Sequence, residues 1–131
     1  MKTAFIYSDE LAKYDYGQSH PLKPYRLKLT YELIQAYGLL SLPDTRILEA
    51  RRAEDEDLLL FHDRDYIEML RALNRGIPVP GSSNFGLGPG DHPVFQGLFD
   101  WSRLVTGASL QAASIVDSGE ADIAFSIDDD F

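Results

Sequence analysis

The 131 residues include no cysteine, which excludes disulfides, thiolate zinc sites and thiol catalysis and leaves histidine and carboxylates as the metal ligands still open. Histidine is scarce as well. There are three, with no paired-His or Asp-x-His set, HExxH motif, phosphate loop or nucleophile elbow. Cations are outnumbered, 12 Lys and Arg against 21 Asp and Glu, and the net charge of -9 argues against a phosphate backbone as a direct partner. No apolar run approaches membrane-spanning length, so no membrane partner is expected. The first ten residues, "MKTAFIYSDE", lack the apolar stretch and small-residue cleavage site of a secretory signal, and a cytoplasmic protein is the expectation. Repeats, low-complexity tracts and dividing linkers are missing too, which points to a single domain over 1–131.

What is present is the material for a core. Apolar residues make up 44% of the chain, and seven Phe, seven Tyr and one Trp argue for a folded globule rather than disorder. A chain of this length buries roughly two-thirds of its unfolded surface. "TAFIYS", residues 3–8, reads as a buried strand. From Pro24 to Gly38 the positions Leu29, Leu33, Ile34 and Tyr37 recur at helical spacing, with Pro24 suited to the first turn and Gly38 to the C-terminal cap. "TRILEARRA", 45–53, is a weaker strand. "EDEDLLLFH" and "DRDYIEMLRALN" form two short helices divided at His62, with Asp63 as N-cap and acids leading each. Residues 76–93 carry five of the ten glycines and four of the seven prolines, a long loop of the kind that is usually functional or mobile. Trp101, Val105, Ala108, Ala112 and Ile115 then step by four, three, four and three, the strongest helical signal in the chain, which stops around Ser118 and Gly119. "ADIAFSI", 121–127, is a final strand. Such alternation implies an α/β fold, a short parallel sheet with helices on both faces.

The residues that could carry chemistry each have a plain structural reading beside the functional one. His20, in "GQSHPLKPYR", can serve as acid, base or ligand near neutral pH, or simply bond a neighbouring loop, since a residue before proline is held extended. Lys23 and Arg26 sit on a first helical turn, where the dipole disfavours cations, so something else holds at least one of them. Arg26 is the stronger candidate to grip several backbone carbonyls, against the alternative of a solvated surface arginine. His62 resembles a packed junction. Asp91 and His92 face ligands if the long loop lines a cleft, and form an Asx-type turn before Pro93 if it does not. "DDDF", 128–131, suggests a hard-cation site, although adjacent acids usually stay hydrated.

Four separated segments, "YDYGQSHPLKPYRLKLTYELIQAYGL" (14–39), "FHDRDYIEML" (61–70), "GPGDHPVFQGLFDWSRLVTGASLQAA" (88–113) and "ADIAF" (121–125), together resemble the N-terminal part of the histone deacetylase family, which includes acetoin-utilisation proteins and acetylpolyamine amidohydrolases. The resemblance implies part of an arginase/deacetylase-like three-layer fold, with about three strands in the order 2-1-3. It also implies the family's chemistry, in which zinc activates water to cleave an acetyl-lysine or acetylamine amide. It places Arg26 behind the active-site tunnel as a pocket-supporting residue, Asp91 at the substrate rim, and His20, Pro21 and Pro24 in a structural approach to the helix. After a strand like "ADIAF" the family continues into a glycine pair and a catalytic His-His dyad, whereas here "SIDDDF" follows. No residue matches the family's catalytic or zinc-ligand positions, so no catalytic residue, metal site or cofactor is assigned to this chain, zinc belonging to the complete family.

The leading expectation is a deacetylase-like module without hydrolase activity alone that acts by association, as a homodimer or higher homo-oligomer. Its motive is an uncovered apolar sheet edge that favours self-pairing. A second is one half of a split deacetylase, completed by another polypeptide that carries the zinc-binding half. A third, a small-molecule binding module built on the Gly/Pro loop, lacks a convergent polar set.

Overall fold

The computed structural model describes residues 1–127; the acidic run 128–131 falls outside the described residues. Three strands, β1 (Thr3–Tyr7), β2 (Thr45–Glu49) and β3 (Ile123–Ser126), form a parallel sheet in the order β2-β1-β3. Phe5 pairs with Ile47 on one side and Phe125 on the other, which places these three side chains on one face. Four helices accompany the sheet: α1 (Tyr25–Ala36), α2 (Asp55–Leu58), α3 (Arg64–Ala72) and α4 (Leu98–Asp117). The fold is therefore α/β with the strand order that the resemblance implies.

The central strand β1 is covered on both faces because its alternating side chains are apolar in both directions. Phe5 and Tyr7 face α1, where the Tyr31 ring stacks at 6.1 Å on Phe5 and at 4.1 Å on Tyr7. Ala4 and Ile6 point the other way and are fully buried on the side where α4 packs. Trp101, Leu104, Ala108 and Ile115 form the inward stripe of α4, and burying a side chain of this size contributes about 1.5–3 kcal/mol. The Trp101 indole N–H, wholly buried, donates to the Leu11 carbonyl at 3.0 Å, so the largest core residue leaves no polar atom unsatisfied.

Several boundaries differ from the sequence reading, each for a local reason. The second strand ends at Glu49 rather than running to residue 53, because the chain turns to bond α4 instead. Gln111 accepts from the Arg51 N–H and donates to the Glu49 carbonyl, both at 3.2 Å, while the Ala53 N–H donates to the Arg103 carbonyl at 2.8 Å. Gly107 makes this approach possible, since a Cβ there would overlap the Arg51 carbonyl. β3 is confined to 123–126, and α4 starts three residues before Trp101. The acidic helix contracts to Asp55–Leu58, where Glu54 and Asp57 form a reciprocal capping box. The long loop contains a 3-10 turn at Ser82–Phe85, and an isolated bridge between Arg75 and Gln96 flanks its two ends.

The largest correction concerns α1. Leu27 is its buried residue, with Tyr31 and Ile34 half-buried beside it, whereas Leu29, Leu33 and Tyr37 are exposed. Of the four positions read from the spacing, only Ile34 lies on the stripe packed against the core; Leu29, Leu33 and Tyr37 lie on a second apolar stripe that faces away from it.

Candidate functional site at the carboxyl ends of the strands

The chain passes from β1 through α1 to β2, then through α4 to β3, so strand order reverses beside β1. In open α/β sheets, ligands bind outside the carboxyl ends of the strands at such a reversal. Two segments with sequence-level candidates converge here: the loop from Ser8 to Pro24, and the turn leading into α4.

The first loop is held by its own side chains. Ser8 accepts from the Glu10 N–H at 3.2 Å and Asp15 from the Gly17 N–H at 2.8 Å. His20 Nδ1 accepts from the Leu22 N–H at 3.1 Å, which places the proton of the neutral imidazole on Nε2. Pro24 is fully buried and Pro21 exposed. Lys23 Nζ donates to the carbonyls of Gly17 and Gln18 at 2.9 and 3.0 Å, so this cation closes the loop on itself despite its place at a helix N-terminus. Arg26 stands exposed on the first turn of α1.

Aromatic rings join this loop to the start of α4. Tyr16 meets His20 edge-on at 4.9 Å, Phe95 at 4.7 Å and Trp101 edge-on at 5.4 Å. His20 and the loop of Asp91 are thereby brought to the same end of the sheet, because Phe95 follows Asp91 by four residues. Asp91 is exposed at a loop tip that the Gly88 N–H closes by donating to the His92 carbonyl at 2.9 Å.

Asn74 organises this end, and the linear sequence gave no signal for it. Its side-chain oxygen accepts from the Phe99 and Asp100 N–H groups at 2.9 and 3.1 Å, and its amide donates to the Asp100 carboxylate at 3.0 Å. It thus caps α4 from outside the helix, where Gly97, in the left-handed region, has no side chain to do so.

The Tyr7 hydroxyl is buried at the end of β1 beside the Asp9 carboxylate, with no hydrogen bond of good geometry. Burial first, and the nearby Asp9 carboxylate second, push its phenol up to about 12. Burial also raises Tyr66, on α3.

These residues do not fit the zinc ion that the resemblance implies. Among the described residues no group of three or more His, Asp or Glu side chains is placed to hold a metal. Of the three histidines, His20 lies in the β1–α1 loop, whereas His62, half-buried between Phe61 and Tyr66, and His92 both line one cavity. That cavity, about 380 Å³, lies between α3 and α4 and is lined by Leu70, Leu87, Phe99, Arg103 and Val105 among others. Its one arginine is already engaged, with Nε donating to the Ala53 carbonyl at 2.8 Å and the guanidinium 3.5 Å from Glu54.

Comparison with known proteins gives a consistent assignment. Residues 20–129 match the histone deacetylase domain. Over 126 residues the chain is 36% identical to histone deacetylase 2 of Oryza sativa subsp. japonica, covering 94% of this chain and 25% of that protein. It is 34% identical to histone deacetylase 1 of Homo sapiens and to histone deacetylase 19 of Arabidopsis thaliana, again over 94% of this chain, and covers 26% and 25% of them. The chain thus spans about a quarter of the length of the curated relatives it matches. No helix among the described residues is long and apolar enough to cross a membrane. A matched domain covering most of the chain, on a parallel β2-β1-β3 sheet, shows that this chain belongs to the histone deacetylase family.

Proposed function

We propose that residues 1–131 form a deacetylase-like framework that has no hydrolase activity by itself and acts through self-association. The observation that carries this reading is the outer strand β3. Among the described residues no strand pairs with its outer side, and Ile123 and Phe125 on one of its faces are 46% and 51% exposed. An open edge with apolar side chains is a template for another chain. The lack of hydrolysis follows from the chemistry: a rim aspartate at Asp91 and a pocket-supporting Arg26 cannot activate water alone.

A second reading is favoured by the length comparison, since the matched relatives are about four times longer. In it, another polypeptide carries the zinc-binding part and completes an amidase acting on acetyl-lysine or acetylated small amines.

Light scattering and deacetylase assay of the purified chain test the first reading. A dimeric or larger mass with no turnover supports it; a monodisperse monomer at micromolar concentration removes it. Turnover that arises only when the relatives' remaining segment is added as a separate polypeptide establishes the second.

A further inference from the structure

Self-association makes no use of the cavity between α3 and α4. At about 380 Å³ it falls at the small end of the range of about 300–1,000 Å³ in which small-molecule sites occur. Its apolar walls belong to the core: Ile67 and Phe99 are 2% exposed, and Val105, the most accessible of them, 9%. An open apolar face that a protein surface could cover is a different thing. Exposed His92 and Ser109 mark the mouth of this space, which suits a small molecule entering between the helices.

The polar lining narrows the chemistry. No Asp or Glu stands among the described residues around the cavity, although acids outnumber cations 21 to 12 in the chain. A cation therefore finds no counter-charge there, and it meets the Arg71 and Arg103 guanidinium groups, already 4.7 and 5.6 Å from the Phe99 ring centroid. An anion fares no better. Arg103 is committed to the Ala53 carbonyl and Glu54, and the chain carries a net charge of -9. A carboxylate among buried apolar walls would lose its hydration with no uncommitted arginine or lysine in the lining to replace it.

A pure hydrocarbon is a poor match as well. The Tyr66 and Thr106 hydroxyls and the His62 imidazole make no hydrogen bond among the described residues, and a ligand without polar atoms would cover them unpaired. Burial alone raises the Tyr66 phenol, in keeping with a hydroxyl that has no charged or hydrogen-bonding neighbour. Each of these groups can both donate and accept, the neutral imidazole through its two nitrogens. One hydroxyl on the ligand, itself donor and acceptor, answers them. The rings of His62, Tyr66 and Phe99 favour an aromatic body, His62 and Tyr66 standing 4.9 Å apart.

We infer that this cavity binds a small uncharged phenol or aryl alcohol, its ring between α3 and α4 and its hydroxyl exchanging hydrogen bonds with Tyr66 and His62. The inference is independent of self-association and gives the chain a ligand-binding function besides assembly.

The probe is 4-ethylphenol, with ethylbenzene, 4-ethylbenzoate and 4-ethylbenzylamine as analogues that keep the body and change the polar group. Binding is followed through the methyl NMR signals of Ile67, Leu70, Leu87 and Val105. The expected result is saturable shifts at these methyls with 4-ethylphenol, and affinity at least about tenfold weaker for the carboxylate and the ammonium analogue. Ethylbenzene on the parent chain, and 4-ethylphenol on Tyr66→Phe, should each bind about three- to tenfold more weakly, the equivalent of one hydrogen bond. The ethylbenzene comparison needs no variant, so it decides the matter even if Tyr66→Phe loses its fold. Shifts that do not saturate, or that fall on the exposed Leu29 and Leu33 instead of the cavity methyls, overturn the site. Equal affinity for ethylbenzene overturns the hydroxyl assignment, equal affinity for either ion overturns the uncharged class, and unchanged binding in folded Tyr66→Phe removes Tyr66 as the partner.

Discussion

Replacing Tyr7 by phenylalanine isolates one atom whose energetics the structure defines. The ring stays on Tyr31, at 4.1 Å and nearly coplanar, while the buried hydroxyl, which has only the Asp9 carboxylate beside it and no hydrogen bond of good geometry, is removed. Leaving a buried polar group unsatisfied costs about 1–3 kcal/mol, so its removal is expected to leave stability at pH 7 unchanged or to raise it by about 1 kcal/mol. The alkaline limb carries the second signature. The folded phenol titrates at about 12 and an unfolded one near 10. With the folded value raised, the contribution of this group is fully present below pH 10 and is lost as pH rises through 12. Linkage gives a loss of about 1.4 kcal/mol by pH 11, towards a limit of about 2.7 kcal/mol. Urea unfolding of the parent and Tyr7→Phe chains at intervals from pH 8 to 12 reads this directly, because the other tyrosines contribute to both. The stability difference in favour of the variant should widen above pH 10. A variant less stable at pH 7 by more than about 1 kcal/mol would show that the hydroxyl has a stabilising partner, and parallel pH profiles would refute the raised phenol.

Asn74→Ala removes the acceptor for two N–H groups at the start of α4 and should lower stability by about 1–2 kcal/mol in urea, and Asn74→Asp, which keeps that acceptor but sets a second carboxylate against Asp100, should restore only part of it at neutral pH. Gly107→Ala opposes two effects: alanine favours a helix interior by about 1 kcal/mol, but here its Cβ meets the Arg51 carbonyl and lies 2.6 Å from the Ala53 nitrogen. Overlap wins, and a loss of about 3 kcal/mol or more is expected; a variant as stable as the parent would mean that the 49–53 segment does not press on α4. Lys23→Met removes the two carbonyl contacts that close the β1–α1 loop, and faster amide hydrogen exchange at Gly17–His20 is the expected sign.

The fold was largely legible because its elements announce themselves over short distances. The 4-3-4-3 spacing from Trp101 to Ile115 can only place one stripe inward on a helix, and that stripe is the one buried against β1 and β3. The strand order followed from family resemblance rather than from the strands, whose composition does not encode neighbours. The α1 orientation was illegible because both of its stripes are apolar, and periodicity alone cannot say which one meets the sheet. The end of β2 at Glu49 depended on Gln111 and Gly107, some sixty residues away in sequence, which no local pattern connects to it. The same applies to Asn74, a cap supplied from before the long loop to a helix that starts after it. At the candidate site the sequence singled out His20, Arg26 and Asp91 as residue types. It carried no sign that Tyr16 and Phe95 would join the first loop to the third segment, because an aromatic pair remote in sequence has no spacing signature.

Deacetylase assay on an acetyl-lysine peptide with added zinc, with metal content and light-scattering mass measured on the same purified sample, tests the central claim most directly. The account predicts no turnover, zinc well below one per chain, and the mass of a dimer or larger assembly. Turnover accompanied by one bound zinc per chain would contradict it, because some set of this chain's own side chains would then hold the metal and activate water.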